Sequence, residues 1–296
     1  YESHAVGENA FIVTYKTSSS SLSAGVFAQG YDLNNTEAIF GDNGITISDE
    51  INDQRNSDIT YNSELDEYLI CWDDGRETFL NDDGDEIVDL NILCSVLSYE
   101  YDDDGLNGEF EVFEEMGIAS IEGSQQQNPS VFATHNGVYM IGWEDMRSAQ
   151  GIDQSLNLSF EWDAYYQEIN SNGVVYEDGG VPLSTAPFGQ VNINFGSLSE
   201  QDNLYLAFWE DDRSTGKELL TNLYAQLISP SLGEDCTAFD VNGDGGINVL
   251  DVVQMVNIVL GNVIPNDWES CAADVNGDGS INILDVVQTV QIIPNP

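Results

Sequence analysis

Three stretches decide the fold: YLICWDDGR (68–76), YMIGWEDMR (139–147) and YLAFWEDDR (205–213). Each is an apolar, β-rich run that ends in Trp, an acidic pair and Arg. Arg76, Arg147 and Arg213 stand four residues after Trp72, Trp143 and Trp209, in a chain with only six Lys and Arg. In so base-poor a sequence, an Arg recurring at one place marks a repeated unit.

A second β-rich element follows each: NILCSVLS (91–98), DAYYQEIN (163–170) and NLYAQLIS (222–229). Degenerate counterparts precede them in AFIVTYKT (10–17) and GVFAQGYD (25–32). Short runs, GITIS (44–48) and GVPLS (180–184), lead to further strand-like stretches, SDITYN (57–62), NPSVFAT (128–134) and QVNINFG (190–196). The successive spacings, Tyr15 to Trp72, Trp72 to Trp143 and Trp143 to Trp209, are 57, 71 and 66 residues. Four strands per ~60 residues, with turn residues between them, predict the blades of a β-propeller. Four blades are recognisable. The first lacks a clear opening strand and the last a clear closing one. Residues 1–7 closing the ring, a longer propeller, or a strand from a neighbouring subunit would each accommodate this.

The pattern resembles the W-x-D-x-R repeats of secreted bacterial β-propellers over roughly residues 8–232, and Tyr224-Ala225-Gln226 matches the strand that follows in them. Within the motif, Trp is expected to fill the gap between blades. Asp74, Asp145 and Asp211 are expected to pair with Arg76, Arg147 and Arg213, because a planar guanidinium suits a bidentate carboxylate. A ring of Arg that binds an anionic ligand is the functional alternative.

The last sixty residues are a different object. DVNGDGGINVLD (240–251) and DVNGDGSINILD (274–285) repeat at an offset of 34 residues. Oxygen-bearing side chains fall at loop positions 1, 3, 5, 9 and 12, with Gly at position 6, which is the spacing of a Ca²⁺ loop. The predicted ligands are Asp240, Asn242, Asp244, Asn248 and Asp251 with the Gly246 carbonyl, then Asp274, Asn276, Asp278, Asn282 and Asp285 with the Ser280 carbonyl. Two Ca²⁺ ions are therefore expected.

The pair resembles a type I dockerin module, the duplicated calcium repeat that docks onto cohesins in secreted assemblies, over residues ~236–296. Asp at position 12 and the lack of a helix-like segment before either loop fit that resemblance. Positions 10 and 11 depart from it: Val249–Leu250 and Ile283–Leu284 stand where dockerins often carry a small polar pair. The following helices are apolar most of the way round, so an apolar docking surface is expected.

Composition limits the partners. Fifty-three Asp and Glu against six Lys and Arg give a net charge of −47. That excludes a phosphate-contacting nucleic-acid binder and docking to anionic lipid. No apolar run reaches the ~18–20 residues of a membrane span. The four cysteines form no C-x-x-C pair, and two bonds, Cys71–Cys94 and Cys236–Cys271, are expected in an oxidising compartment. No charged and apolar leader stands at Tyr1, so a signal peptide would have been removed.

No G-x-S-x-G, H-E-x-x-H, P-loop, G-x-G-x-x-G or sialidase-type box occurs. His135, in THNG, reads as a surface residue. Trp162, Tyr165 and Tyr166 read as core packing rather than a sugar platform. NDDGDE (81–86) and DDDGLNGE (102–109) read as solvated turns rather than further Ca²⁺ sites.

The expectation is a mostly β, propeller-type repeat domain (1–232) followed by a small all-α calcium module (236–296). Its predicted role is a secreted, non-enzymatic scaffold at the cell surface or in the extracellular matrix. It would join a protein partner, or itself, through the apolar helices. A self-assembling filament subunit and a glycan-binding or glycan-hydrolysing propeller that contacts polysaccharide are the alternatives.

Overall fold

The structure, a computed structural model, describes residues 2–16, 25–33, 37–50, 52–80, 84–101, 108–147, 162–170, 173–176, 179–199, 203–213, 222–230, 239–242, 246–263, 265, 267–273, 275 and 281–293. Its contacts divide it into two units, Tyr1–Ile169 with Val174–Pro230, and Asn170–Gly173 with Ser231–Pro296.

The first unit is mostly β, with four antiparallel sheets in chain order. Sheet 1 runs β1 (Ser3–Val6), β2 (Ala10–Lys16), β3 (Val26–Asp32), β4 (Ile45–Ser48). Sheet 2 runs β5 (Gln54–Asn62), β6 (Glu67–Leu80), β7 (Glu86–Tyr101), β8 (Gly108–Val112), and β9 (Met116–Ala119) also pairs with β7. Sheet 3 runs β10 (Gln126–Ala133), β11 (Tyr139–Asp145), β12 (Asp163–Asn170), β13 (Gly173–Val174), with β14 (Val181–Ser184) on β12. Sheet 4 runs β15 (Gln190–Ser199), β16 (Leu204–Asp211), β17 (Asn222–Ile228). Each Trp segment is the second strand of its sheet, as the repeats predict. The first sheet does have an opening strand: β1 pairs with β2, with Ser3 opposite Thr14 and Val6 opposite Phe11. The hairpin β6–β7 outruns its motif, because pairing resumes past a register shift with Glu77 opposite Asp89 and Leu80 opposite Glu86.

Sheets stack face on face. Trp72, Ile70 and Tyr68 of sheet 2 share a core with Ile12, Val26 and Ala28 of sheet 1. Trp143 and Ile141 of sheet 3 pack with Leu69, Ile92 and Ala119 of sheet 2. Trp209 and Tyr205 of sheet 4 pack with Met140, Ala164 and Leu183. The Trp of sheets 2, 3 and 4 thus enters the gap toward the preceding sheet, and burying so large a ring contributes about 2–3 kcal/mol or more. Cys71 and Cys94 are direct cross-strand partners, and their disulfide spans a Cα–Cα distance of 4.0 Å.

The second unit holds α1 (Val249–Val259), α2 (Asp267–Ala273) and α3 (Ile283–Ile292). Asn248 and Asn282 are N-caps, each in a capping box with Asp251 or Asp285. That reciprocal bonding satisfies amides a helix start leaves open. Met255, Ile258, Ala272, Ala273, Val286 and Val241 form a small core. One expectation is corrected here: α2 does precede the second loop. Its buried Ala272 and Ala273 anchor it, and DWESCAA carries too little apolar periodicity to announce a helix.

Candidate functional site

The calcium loops come first. Asp240 is 2% exposed, and Asp251 and Asp285 are fully buried. Asp251 accepts the Asn242 amide at 3.1 Å on one oxygen and the Asn248 amide at 2.8 Å on the other. Asp285 accepts the Asn282 amide at 2.9 Å. Each carboxylate oxygen can accept a second bond, so a cation can still be held. Residues 231–296 contain ten Asp and Glu and no Lys, Arg or His. Side chains of this segment cannot neutralise its buried carboxylates, and an uncompensated buried charge costs several kcal/mol. The donor set therefore fits a hard, oxygen-seeking cation.

Asn248 and Asn282 behave differently from the other predicted ligands. Their side-chain oxygens accept the Leu250 and Leu284 amides at 2.9 Å, and the Asn248 amide group donates to the Gly246 carbonyl at 2.6 Å. Loop position 9 in such sites often reaches the ion through water, and these caps are compatible with that. Asp244, Asp274, Asn276, Asp278 and Ser280 lie outside the described residues. Among the described residues no three His, Cys, Asp or Glu side chains converge for a metal. Cys271 is disulfide-bonded, and its expected partner Cys236 lies outside the described residues.

In the β unit the Arg motif is structural. Asp145, fully buried, accepts the Trp143 indole at 2.9 Å, the Arg147 amide at 2.7 Å and the Arg147 guanidinium at 2.6 Å. Arg76 holds Asp74 and Glu115, each at 2.7 Å, and Arg213 holds Asp211. Arg147 and Arg213 also lie over the rings of Tyr165 and Tyr224, at 4.1 and 4.2 Å. These pairings support the structural reading of the motif over the anion-binding ring.

The acid directly after Trp72 and after Trp143 has a role that reading the sequence missed. Asn56, Asn128 and Asn192 sit at bulges with positive φ of 51°, 54° and 56°. Asp73, fully buried, accepts the Asn128 amide and the Asn56 side chain, each at 2.7 Å. Glu144 accepts the Asn192 amide at 3.1 Å and the Asn128 side chain at 2.9 Å. Each carboxylate thus ties its sheet to the bulge of the next. Glu2 does the same for the first junction, accepting the amides of Asn56 at 3.1 Å and Ser57 at 2.9 Å. The detectable signal was the repeat Gln54-x-Asn56, Gln126-x-Asn128, Gln190-x-Asn192. Burial pushes Asp73 up to about 7; Arg55 and the Asn128 and Asn56 bonds oppose that rise, and Glu144 adds to it. Burial likewise raises Glu144 against its three hydrogen bonds.

A cleft of about 280 Å³ opens beside sheets 1 and 2, lined by Asp32, Asp66, Asn9, Tyr68, Tyr99 and Phe110 among others. Tyr99 and Phe110 meet edge to face at 5.0 Å, and Asp66 accepts the Tyr61 hydroxyl at 2.7 Å. Aromatic walls with a few placed carboxylates and amides make up the chemistry of a small polar-ligand site.

Trp162 and Tyr165 are buried, at 3% and 6% exposure, and Tyr165 stacks on Trp143, which supports core packing over a platform. His135 is not a plain surface residue. It is half-buried, and its Nδ1 lies 2.5 Å from the Tyr205 hydroxyl of the next sheet. The partner is seventy residues away in sequence, so the turn THNG gave no hint of it. Half of NDDGDE, residues 81–83, and most of DDDGLNGE, residues 102–107, lie outside the described residues.

A mostly β unit of stacked sheets thus precedes a capped, duplicated acidic helix module. Residues 238–291 match the dockerin type I domain family, and this segment is a dockerin. Dockerin domains bind calcium, mediate protein–protein interaction with cohesins, and typically occur in extracellular proteins. No helix among the described residues is long and apolar enough to cross a membrane. No curated relative matches the chain.

Solved structures similar to it include a levansucrase from B. megaterium, at 10% identity over 75% of this chain and 63% of that one, TM-score 0.44. An α-L-arabinanase from Penicillium chrysogenum complexed with arabinobiose is 10% identical over 74% and 71%, TM-score 0.36. A thermostable family-43 glycoside hydrolase is 13% identical over 76% and 74%, TM-score 0.40. The chain spans about three fifths of the levansucrase's length. At these identities and TM-scores the likeness assigns no activity to this chain. The expectation of a non-enzymatic scaffold is corrected: the similar solved structures are a levansucrase, an arabinanase and a glycoside hydrolase, which points away from a purely non-enzymatic reading. The missing hydrolase motifs exclude nothing, since acids placed by different sheets need not share a local motif.

Proposed function

We propose that this chain is a glycan-directed extracellular protein, in which the β unit processes or binds a glycan and the dockerin attaches it to a protein partner. The repeat domain would span 1–232 as blades of a propeller, and the calcium module 236–296. The observation that carries the reading is the buried carboxylate set of Asp240, Asp251 and Asp285 in a dockerin segment without basic side chains. Two Ca²⁺ ions would be held, one by Asp240, Asn242, Asp244, Gly246 and Asp251 with Asn248 through water. The other would be held by Asp274, Asn276, Asp278, Ser280 and Asp285 with Asn282 through water.

The cleft with Tyr99, Phe110, Asp32 and Asp66 supports a glycan role for the β unit. The partner would seat on the exposed apolar positions Val249, Leu250, Ile283 and Leu284, which are 57–63% exposed. Burying such side chains contributes about 1.5–3 kcal/mol each. Two measurements test the reading. Capture of the full chain on immobilised cohesins, with and without chelator, should be calcium-dependent and weakened by Leu250→Asp with Leu284→Asp. A panel of soluble polysaccharides, read for released sugar and for retention on the β unit, should give at least one positive that Phe110→Ala weakens. Calcium-independent capture would refute the dockerin half, and a wholly negative glycan panel would refute the other.

A further inference from the structure

The middle strands of the inner sheets are buried on both faces. Every residue of β11 is buried, and so is β6 from Tyr68 to Gly75. The end sheets differ. In β2, Ala10, Ile12 and Thr14 are buried while Phe11, Val13 and Tyr15 are only half-buried. In β16, Tyr205, Ala207, Trp209 and Asp211 are buried while Leu206 and Phe208 are half-buried. The buried face of β2 looks to sheet 2, and that of β16 looks to sheet 3. Both strands are nevertheless apolar on both faces, a composition that marks two-sided burial.

The outer face of sheet 4 continues across its pairs. Leu206 is opposite Leu227 and Glu210 opposite Leu223, and Leu223 and Leu227 are 71% and 56% exposed. On sheet 1 the outer face joins Val6, Phe11 and Tyr31, and Tyr15 with Phe27. Val6 and Tyr31 are 59% and 39% exposed, and Tyr15 stacks on Phe27 at 5.9 Å. Among the described residues no core cluster joins sheet 1 to sheet 4.

The internal junctions say which surface fits which. At all three, the face bearing Trp72, Trp143 or Trp209 lies on the other face of the preceding sheet. Tyr15 holds the Trp position of sheet 1. The outer face of sheet 1 is therefore built like the faces that seat on a preceding sheet. The outer face of sheet 4 is built like those that receive a following one.

We propose that these two faces form a head-to-tail interface between copies of this chain, the front of sheet 1 on one copy seating on the back of sheet 4 on the next. Such a contact is heterologous. It propagates as a filament unless the rotation closes a ring of copies. Because each copy carries −47, association strengthens as salt screens the repulsion. The proposal does not depend on the dockerin reading.

The test is sedimentation velocity of the full chain in Ca²⁺, from about 0.1 to 100 µM, at about 0.15 M and 1 M NaCl, where the screening length falls from about 8 to 3 Å. The wild type should grow in mass with concentration, more so at high salt. A back-face variant, Leu223→Asp with Leu227→Asp, and a front-face variant, Val6→Asp with Tyr31→Asp, should each remain monomeric. All four positions are exposed, so both variants should keep the wild-type far-ultraviolet spectrum. Mixed in equal amounts, the two should form a dimer and stop, because each retains one good face. The wild-type behaviour should persist with Leu250→Asp and Leu284→Asp on the helices.

A wild type that is monomeric under every condition overturns the proposal, whether the ring closes within one chain or another protein covers the faces. So does a mixture that stays monomeric, a back-face variant that still dimerises, or assembly abolished by the helix variants alone.

Discussion

Asp145→Ala is the sharpest probe of how the β unit is held. The carboxylate is fully buried, and its removal takes the acceptor from four donors at once: the Trp143 indole, the Arg147 amide, the Arg147 guanidinium and, at 3.4 Å, the Ser124 hydroxyl. An unsatisfied buried donor costs about 1–3 kcal/mol, and breaking a buried charge pair about 3–5 kcal/mol. The guanidinium is 17% exposed and keeps the Gly179 carbonyl at 2.7 Å and the face of Tyr165, which softens its part. These losses share one site and do not add, so the expected cost is about 4 kcal/mol. For a unit of this size that lowers the melting temperature by about 10 °C. Asp211→Ala is the control. Its Arg213 is 31% exposed and belongs to an end sheet, so the cost should fall to about 2 kcal/mol. Denaturant unfolding followed by Trp fluorescence measures both. If Asp145→Ala costs less than about 1 kcal/mol, or no more than Asp211→Ala, the motif is not the structural clamp argued here.

Acidity should stabilise the β unit. Burial raises Asp73 to about 7 and Asp89 to about 6, so the folded state binds more protons than the unfolded one between ordinary carboxylate values and those. Stability therefore falls as pH rises through about 4 to 7, and the melting temperature should be higher at pH 5 than at pH 7.5, a slope that Asp73→Asn flattens. Chelation should release α1 and α3, seen as lost helical ellipticity and fast exchange of the Asn242, Asn248 and Asn282 amides, while the β signal stays; a calorimetric titration without Ca²⁺ uptake would refute it. Replacing both Cys71 and Cys94 by Ala opens a 23-residue loop and should cost about 3 kcal/mol, unless the denatured chain is already constrained there.

The strands were legible where one residue type had to recur. Trp72, Trp143 and Trp209 fill the same gap in three sheets, and the Asp–Arg pair beside each is local, two residues apart, so both can be read along the chain. The cross-strand bond Cys71–Cys94 followed from placing the two repeats side by side. The calcium loops were legible for the same reason, since all their oxygens come from twelve consecutive residues. What was lost is non-local. Glu2 reaches Asn56 and Ser57, Asp73 reaches Asn128, and His135 reaches Tyr205, across 54 to 70 positions. Residues 1–7 were only one of three ways to complete the first sheet, because four residues, SHAV, carry no pattern of their own and become a strand only against β2. α2 was missed because its helicity rests on two buried alanines.

The same distinction explains why activity was the weakest reading. With 53 acidic residues, no single carboxylate is informative by composition. What separates a working acid from a solvated one is burial and the sheet it faces. Asp73 and Glu144 show the difficulty. Both are buried and raised, the usual signs of a catalytic carboxylate, yet the bulge amides and Asn side chains of neighbouring sheets engage them. A raised carboxylate in this architecture is first a fastener between sheets. The proposed glycan-directed site is then to be sought where acids line open space beside aromatic rings, as Asp32 and Asp66 do in the cleft with Tyr99 and Phe110. Such a site is assembled from β3, the turn before β6, and the outer strands β7 and β8, which no contiguous motif could encode.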